Sequence, residues 1–273
     1  MKIGITGATG KVGKLLVEKY GAIPLEADIR SSNEIERAIT KVKPNVIAHL
    51  ASYSDVDWCE KKENWGEVIA VNYTGTRHVL NIARNHGIGV MLLSTDHVFD
   101  GKRGKYKEDY RFLSAFGKYN KPVNGYGLSK LCAEVLRPAY DNMKIVRTSY
   151  LFSKDRLEND MESIYNPPTF LYRSFMYANH FVDSLYKYLT EFKEMPPVLH
   201  LSGSETVSWY DFALAWASMY NFNKDRIVPR KYELERKGLA PRPKRCGLNT
   251  SLSMKLGFKQ YSYLDGLQAM RDE

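Results

Sequence analysis

The chain has 273 residues, 44% of them apolar, enough to bury a full core as one large domain or as a domain with a smaller lobe. Its 40 basic against 31 acidic residues give a formal charge of +9, but the cations are spread without a long basic block, so a surface that attracts small anions is expected and nucleic acid is not. Three scattered cysteines, Cys59, Cys132 and Cys246, form neither a disulfide framework nor a metal-ligand spacing, and apolar runs such as VIAHLAS are far below the ~20 residues that span a bilayer.

In chain order, KIGIT is a short strand of the buried type, and KVGKLLVEKY behind it places Val12, Leu15, Leu16 and Lys19 at helical spacing. PNVIAHLAS is the next clear strand. NWGEVIAVNYTGTRHVLNIARNHG is one long helix ending on Gly87, a residue suited to a left-handed cap. GVMLLSTD is a strand, GYGLSKLCAEVLRPAY a helix that Pro138 ends or kinks, and MKIVRTSYLF a further strand. This alternation is that of a doubly wound α/β fold with a parallel sheet. From residue 151 the pattern is irregular (SKDRLENDMESIYNPPTF), and then come a helix ANHFVDSLYKYLTEF, a strand VLHLSG, an aromatic-rich helix SWYDFALAWASMY and a loop APRPKRCGLNTS. A dinucleotide-type domain over 1–150 with about 175–202 is expected, and a smaller C-terminal substrate lobe from about 151–174 and 203–273. The N-terminus opens as a strand rather than as a charged and then greasy leader, so a cytoplasmic protein with reduced thiols and no membrane partner is expected.

Two motifs carry chemistry. GATGKVG spaces Gly7, Gly10 and Gly13 between a first strand and an amphipathic helix, where glycines let backbone N–H groups and a helix N-terminus meet a pyrophosphate. NGYGLSK sets Tyr126 and Lys130 four residues apart, on one helical face, where an ammonium can stabilise a phenolate and make the phenol a usable acid. Ser94 and Thr95 add hydroxyls at the carboxyl end of a strand, the edge at which open parallel sheets bind ligands.

These residues resemble the extended short-chain dehydrogenases/reductases, and within them the dTDP-4-dehydrorhamnose reductases. The likeness runs from GITGATGKVG through DIRSSNEIERAITKVKPNVIAHLAS, SDVDWCE and VNYTGTRHVLNIA to LSTDHVFDG, NGYGLSKLCAE, RTSYLF, HLSGSETVSWYDFA and RPKRCGLNTS. The resemblance implies a Rossmann-type domain and hydride transfer between NADPH or NADH and C4 of a deoxythymidine diphosphate 4-keto sugar. By position, Thr95 would hydrogen-bond the keto oxygen, Tyr126 would donate the proton, Lys130 would hold the nicotinamide ribose, and Asn72 would help place the lysine. Lys11 and Val12 would approach the pyrophosphate, Asp28 and Ile29 the adenine, and Ala51, Ser52 and Tyr53 the cofactor beside the third strand. Asp96 and Tyr150 would face the nucleotide-sugar substrate. Thr95 as a turn cap, Asp28 as an N-cap or loop residue and Tyr150 as a core aromatic are the plainer alternatives.

Departures from the family pattern qualify this. EKYGAIPLEADIR is too short for a full second strand ending in a cofactor selector; Arg30 and Lys11 could meet a 2′-phosphate, which favours NADPH. His97 stands where the family has tyrosine and Tyr150 where it often has tryptophan. The 102–123 loop is long, and whether it is a lid is open. The segment after RTSYLF is short, which leaves the sugar nucleotide least defined, with Arg242, Lys244 or Arg245 as partners for the diphosphate. Leu15 stands where a metal-bridged dimer needs a carboxylate, so no metal is expected and a plain homodimer is left open. The alternatives are a reductase of another nucleotide sugar, or a non-catalytic regulatory subunit of the kind that partners methionine adenosyltransferase.

Overall fold

The computed structural model describes residues 1–108, 121–159, 161–230 and 239–273. Strand β1 (Ile3–Thr6) leads through a glycine turn into helix α1 (Lys11–Tyr20), and β2 (Ile23–Pro24) follows as a two-residue strand, as short as its segment implies. Next come α2 (Ser32–Val42), β3 (Val46–His49), α3 (Val56–Glu60), α4 (Trp65–Ile69), α5 (Thr76–Asn85) and β4 (Gly89–Thr95). Helix α6 (Gly125–Glu134) precedes β5 (Met143–Thr148), β6 (Leu151–Phe152), α7 (Lys154–Asn159) and α8 (Met161–Tyr165). The chain ends with β7 (Tyr172–Arg173), β8 (Met176–Tyr177), α9 (Ala178–Thr190), β9 (Val198–His200), β10 (Val207–Ser208), α10 (Trp209–Met219), α11 (Ser251–Lys255) and α12 (Tyr263–Asp272).

Six strands form one sheet in the order β2-β1-β3-β4-β5-β9, every pair parallel. Alternate residues of each strand serve opposite faces, which is why the strands read as continuous apolar runs. Ile3, Ile5, Ala48, Met91 and Val146 pack with Leu16 of α1 and Phe181, Val182 and Leu185 of α9. Ile47, Val90, Leu92 and Ile145 pack with Ile35 and Ile39 of α2, Val79 and Leu80 of α5 and Ala133 of α6. The chain leaves β1 toward β2 on one side and returns to β3 on the other, so a crevice opens at the carboxyl ends of β1 and β3. A separate aromatic cluster joins Phe152, Leu157, Ile164, Phe175, Trp209, Phe212, Trp216 and Leu267, with Phe175 and Phe212 stacked at 4.2 Å.

Three expected elements differ. The long helix after residue 64 is interrupted at Ala70–Gly75 by a π-helical turn, the extra residue of which swings Asn72 fully inside. The strand read as MKIVRTSYLF stops at Thr148; Leu151–Phe152 pair instead with Met176–Tyr177, away from the main sheet. The stretch after residue 153, read as irregular because of its charges and its proline pair, forms α7 and α8, whose Leu157 and Ile164 anchor one helix each in the aromatic cluster. Pro138 sits in a single 3-10 turn (Arg137–Ala139) just beyond α6, and Gly87 takes the left-handed conformation after α5. Most of the long loop, residues 109–120, and with it the lid question, lies outside the described residues.

Candidate active site

The phosphate end of the crevice is made of backbone. Gly7 has φ 73°, and a side chain there would meet the backbone of Ala51 at 2.6 Å; one on Gly13 would meet the Gly7 carbonyl oxygen at 2.4 Å. These two glycines let the turn fold tightly against β3. Gly10 differs: a Cβ there would meet only the Gly7 oxygen, at 3.4 Å. Gly10 is also the N-cap of α1 without a side-chain cap, and the first helical turn holds no acidic residue, so among the described residues no side chain caps the N–H groups at this terminus. Lys11 does not lie along the turn; its ammonium donates to Ser153 Oγ and to Asp155 Oδ1 (3.0 Å), crossing to the start of α7.

Beside β2 and β3 lies a polar group of exposed pairs. The Arg30 guanidinium grips both Asp28 oxygens (2.6–3.0 Å) and reaches Glu67 at 2.6 Å; Tyr53 donates to Glu67 at 3.1 Å. That contact holds the Asp28 carboxyl below its ordinary range. Ile29 is buried with its side chain against Gly75, and its carbonyl faces His78, so only its backbone borders the crevice. The Ala51 N–H points at Thr6 Oγ1 (3.4 Å), and Ser52 is half-buried.

At the other end, side chains converge. Tyr126 and Lys130 lie on α6, a helix capped by Asn124, whose Oδ1 accepts from Gly127 N at 2.8 Å. Gly127 is needed because a Cβ would strike the His97 carbonyl at 2.2 Å, which brings the loop after β4 against α6. Thr95 lies close enough to the Tyr126 hydroxyl to lower its pKa. The His97 ring stands edge-on to the Tyr126 ring at 5.6 Å, its Nδ1 facing Asn124 at 3.1 Å. Lys130 is 3% exposed, and burial lowers its ammonium to about 8, against an opposing pull from Glu134 one turn along. Glu134 is in turn gripped by Arg147 of β5 at 2.7–3.2 Å, both wholly buried.

The expected effect of Lys130 on the phenol is corrected by this geometry. Burial pushes the Tyr126 hydroxyl above its ordinary value, helped by the Asp96 charge, while Thr95 and Arg156 pull it down by less. The phenol is therefore held protonated. Ser94 Oγ and Thr148 Oγ1, on neighbouring strand ends, are buried without a hydrogen-bond partner among the described residues.

Asp96 does not stand open toward a substrate. It accepts from Ser149 at 2.7 Å and Thr95 at 3.2 Å, with Arg173 at 3.5 Å, and burial raises its pKa. Tyr150 packs edge-on against Trp209 (4.6 Å) and Phe175 (5.4 Å) under the Arg156 guanidinium, at the border of the aromatic cluster. Arg242 is committed to Asp57, with both its amino groups on that carboxylate at 2.9 Å, so it braces the 240–243 segment against α3 rather than offering an open charge. Beyond it a cleft of about 420 Å³ is lined by Asp100, Lys102, Arg242, Lys244 and Arg245. Asn124, Arg173 and Glu134 are site residues that sequence reasoning did not single out; of these only Asn124, a helix cap before a glycine, carries a local signal.

The family model described as RmlD substrate binding domain matches residues 1–165. A dTDP-4-dehydrorhamnose reductase from Aggregatibacter actinomycetemcomitans is 31% identical over 237 residues, 77% of this chain and 76% of that one. The chain belongs to the dTDP-4-dehydrorhamnose reductase family. A crystal structure of such a reductase from Bacillus anthracis in complex with NADP has the same fold, with a TM-score of 0.85 at 24% identity over 100% of this chain and 99% of that one. Methionine adenosyltransferase 2 subunit beta of Xenopus laevis is also similar, 24% identical over 94% of this chain and 82% of its own length. Cys59, Cys132 and Cys246 are free. No helix among the described residues is long and apolar enough to cross a membrane.

Proposed function

We propose that this protein reduces the 4-keto group of dTDP-4-dehydrorhamnose to the hydroxyl of dTDP-rhamnose, with NADPH as the reductant and NADH as the second choice. The observation that carries the reading is the placement of Tyr126 and Lys130 one turn apart on α6 beside Thr95 at the end of β4, at the carboxyl edge of a parallel sheet whose first turn presents an uncapped helix terminus. That turn suits a pyrophosphate: the open side of Gly10 admits it and the α1 N–H groups meet its charge. Gly7, Gly13, Lys11 and Val12 border it, Asp28, Ile29 and Arg30 the adenosine, and Ala51, Ser52, Tyr53 and Lys130 the rest of the dinucleotide. The NADPH preference draws on the NADP of the Bacillus anthracis neighbour. Arg30 spends its charge on Asp28 and Glu67, but both pairs are solvent-exposed and exchange readily for a phosphate.

A reduced nicotinamide, when bound, supplies hydride to C4. Thr95 and Tyr126 hold the keto oxygen, and Tyr126 gives it the proton that completes the hydroxyl. Lys130, with Asn72 behind it, orients the ribose. The high phenol pKa keeps the proton in place until the oxygen gains charge, which is what a general acid in a dry site requires. Asp96 fixes Thr95 and Ser149 rather than contacting the sugar directly, Tyr150 forms an apolar wall for the sugar, and Arg242 positions the basic cleft that takes the diphosphate. In this reading residues 1–150 and about 175–202 bind the cofactor, residues about 151–174 and 203–273 bind the substrate, and the enzyme works in the cytoplasm.

Heat-protection of the protein by a panel of nucleotide sugars tests the substrate. dTDP-sugars are expected to raise the melting temperature above UDP- and GDP-sugars; equal protection, or preference for another base, would reassign it. Similarity to the methionine adenosyltransferase subunit favours a regulatory reading, and tight NADPH binding without turnover of any 4-keto sugar would establish that instead.

A further inference from the structure

Building on that reading, we propose that His49 is a positioning residue: a buried hydrogen-bond relay through it fixes Asn72, and through Asn72 the helix that carries Tyr126 and Lys130. His49 ends β3 and is fully buried. Its Nδ1 lies 2.6 Å from Thr6 Oγ1 at the end of β1, directly before the phosphate turn, and its Nε2 lies 3.0 Å from Thr76 Oγ1 at the start of α5. Thr76 Oγ1 also contacts the Asn72 carbonyl at 2.7 Å. Asn72 Nδ2 donates to Ser129 Oγ at 2.8 Å and to the Tyr53 carbonyl at 3.0 Å, while Asn72 Oδ1 accepts from Tyr53 N at 2.8 Å. Ser129 Oγ finally donates to the Tyr126 carbonyl at 2.7 Å.

The chemistry of the groups gives this chain a direction. A carbonyl can only accept, so the single hydroxyl proton of Thr76 goes to Asn72, and Thr76 Oγ1 must accept from His49 Nε2–H. The ring therefore carries its proton on Nε2, and Nδ1 accepts from the Thr6 hydroxyl, which in turn accepts from Ala51 N at 3.4 Å. Every member has its donors and acceptors assigned, and Thr6, His49, Asn72, Thr76 and Ser129 are each at most 2% exposed. The ring stays neutral: burial holds its pKa down to about 3, and the charge of Lys130 pushes the same way. A fully satisfied polar network in a dry interior has one good arrangement, so it sets geometry more sharply than apolar packing does. It also explains the π-helical turn. Asn72 lies inside that turn, where the Thr76 hydroxyl satisfies its carbonyl and its side chain reaches both the loop after β3 and α6.

The test combines ring spectroscopy, amide exchange and kinetics. Nitrogen NMR of the His49 ring in the full-length protein should show the Nε2–H tautomer with no titration between about pH 5 and 9; an Nδ1–H tautomer or a titrating ring overturns the proposal. His49→Leu should speed exchange of the Tyr53 amide, and unchanged exchange overturns it. Both readouts stand whether or not the protein is a reductase, so absence of turnover would count against the proposed function alone. With turnover in hand, His49→Leu and Ser129→Ala should each lower kcat about tenfold, the size of one lost hydrogen bond, with cofactor Kd little changed. The double variant should be no slower than the slower single, and His49→Gln, whose amide nitrogen takes the place of Nε2, should recover most of the rate. Effects that multiply would mean that the two residues act separately, contrary to the relay.

Discussion

The two ends of the crevice are built from different material. At the phosphate end the chain offers backbone alone: two glycines that no other residue could replace, a third that leaves space, and a helix terminus without a cap. At the carbonyl end it offers side chains that are already bonded: Thr95 to Asp96, Asn124 to Gly127 and His97, Glu134 to Arg147. A backbone site recognises charge and shape and tolerates little change in its glycines. A side-chain site performs proton chemistry, and its behaviour is set by how deeply its groups are buried. The difference teaches that binding and catalysis in this fold can be broken separately.

The sharpest break is at the carbonyl end. Tyr126→Phe removes the proton donor and should lower kcat by roughly 10²–10⁴ while cofactor titration gives an unchanged Kd. A parallel loss of cofactor affinity would mean the ends are not separable. Next in size is the buried pair behind Lys130. Arg147→Met strands the Glu134 carboxylate in the interior and should cost about 3–5 kcal/mol in urea unfolding, and Glu134→Gln added to it should restore most of that.

At the phosphate end, Gly13→Ala forces a methyl group against the Gly7 carbonyl and should destabilise the fold by about 1–3 kcal/mol. Gly10→Ala, with only a 3.4 Å neighbour, should leave the melting temperature nearly unchanged yet weaken cofactor binding. A shared loss of stability in both variants would show that the open side of Gly10 is not a binding surface. The smallest effect is with pH. Lys130 is charged below about 8 and neutral above it, so the reduction rate should decline as pH rises through that value, while His49 stays neutral and Tyr126 protonated across the same range. A rate that holds level to pH 10 would mean that the Lys130 charge is not required.

The phosphate end was the more legible in sequence, because a backbone site is a local pattern: strand, three spaced glycines, amphipathic helix. Tyr126 and Lys130 were legible for the same reason, being one helical turn apart. What surrounds them was not. His49 reads as one polar residue in an apolar strand, and its partners Thr6 and Thr76 come from separate elements. Arg173 reaches Asp96, and Arg242 reaches Asp57, across chain separations that no local periodicity reports. The phenol pKa was misjudged because spacing reveals a neighbouring charge but not burial, and burial dominates here. Helices α7 and α8 were missed because each is too short to display a period, and their anchors Leu157 and Ile164 matter only once the aromatic cluster exists.

The central claim is that this crevice joins NADPH and a dTDP 4-keto sugar for reduction. It is tested most directly by mixing the purified protein with NADPH and dTDP-4-dehydrorhamnose and following the loss of reduced-nicotinamide absorbance together with the sugar product. Stoichiometric formation of dTDP-rhamnose is expected, and none with Tyr126→Phe on the same timescale. Saturating binding of both ligands by the wild-type protein, with no absorbance lost, would contradict it.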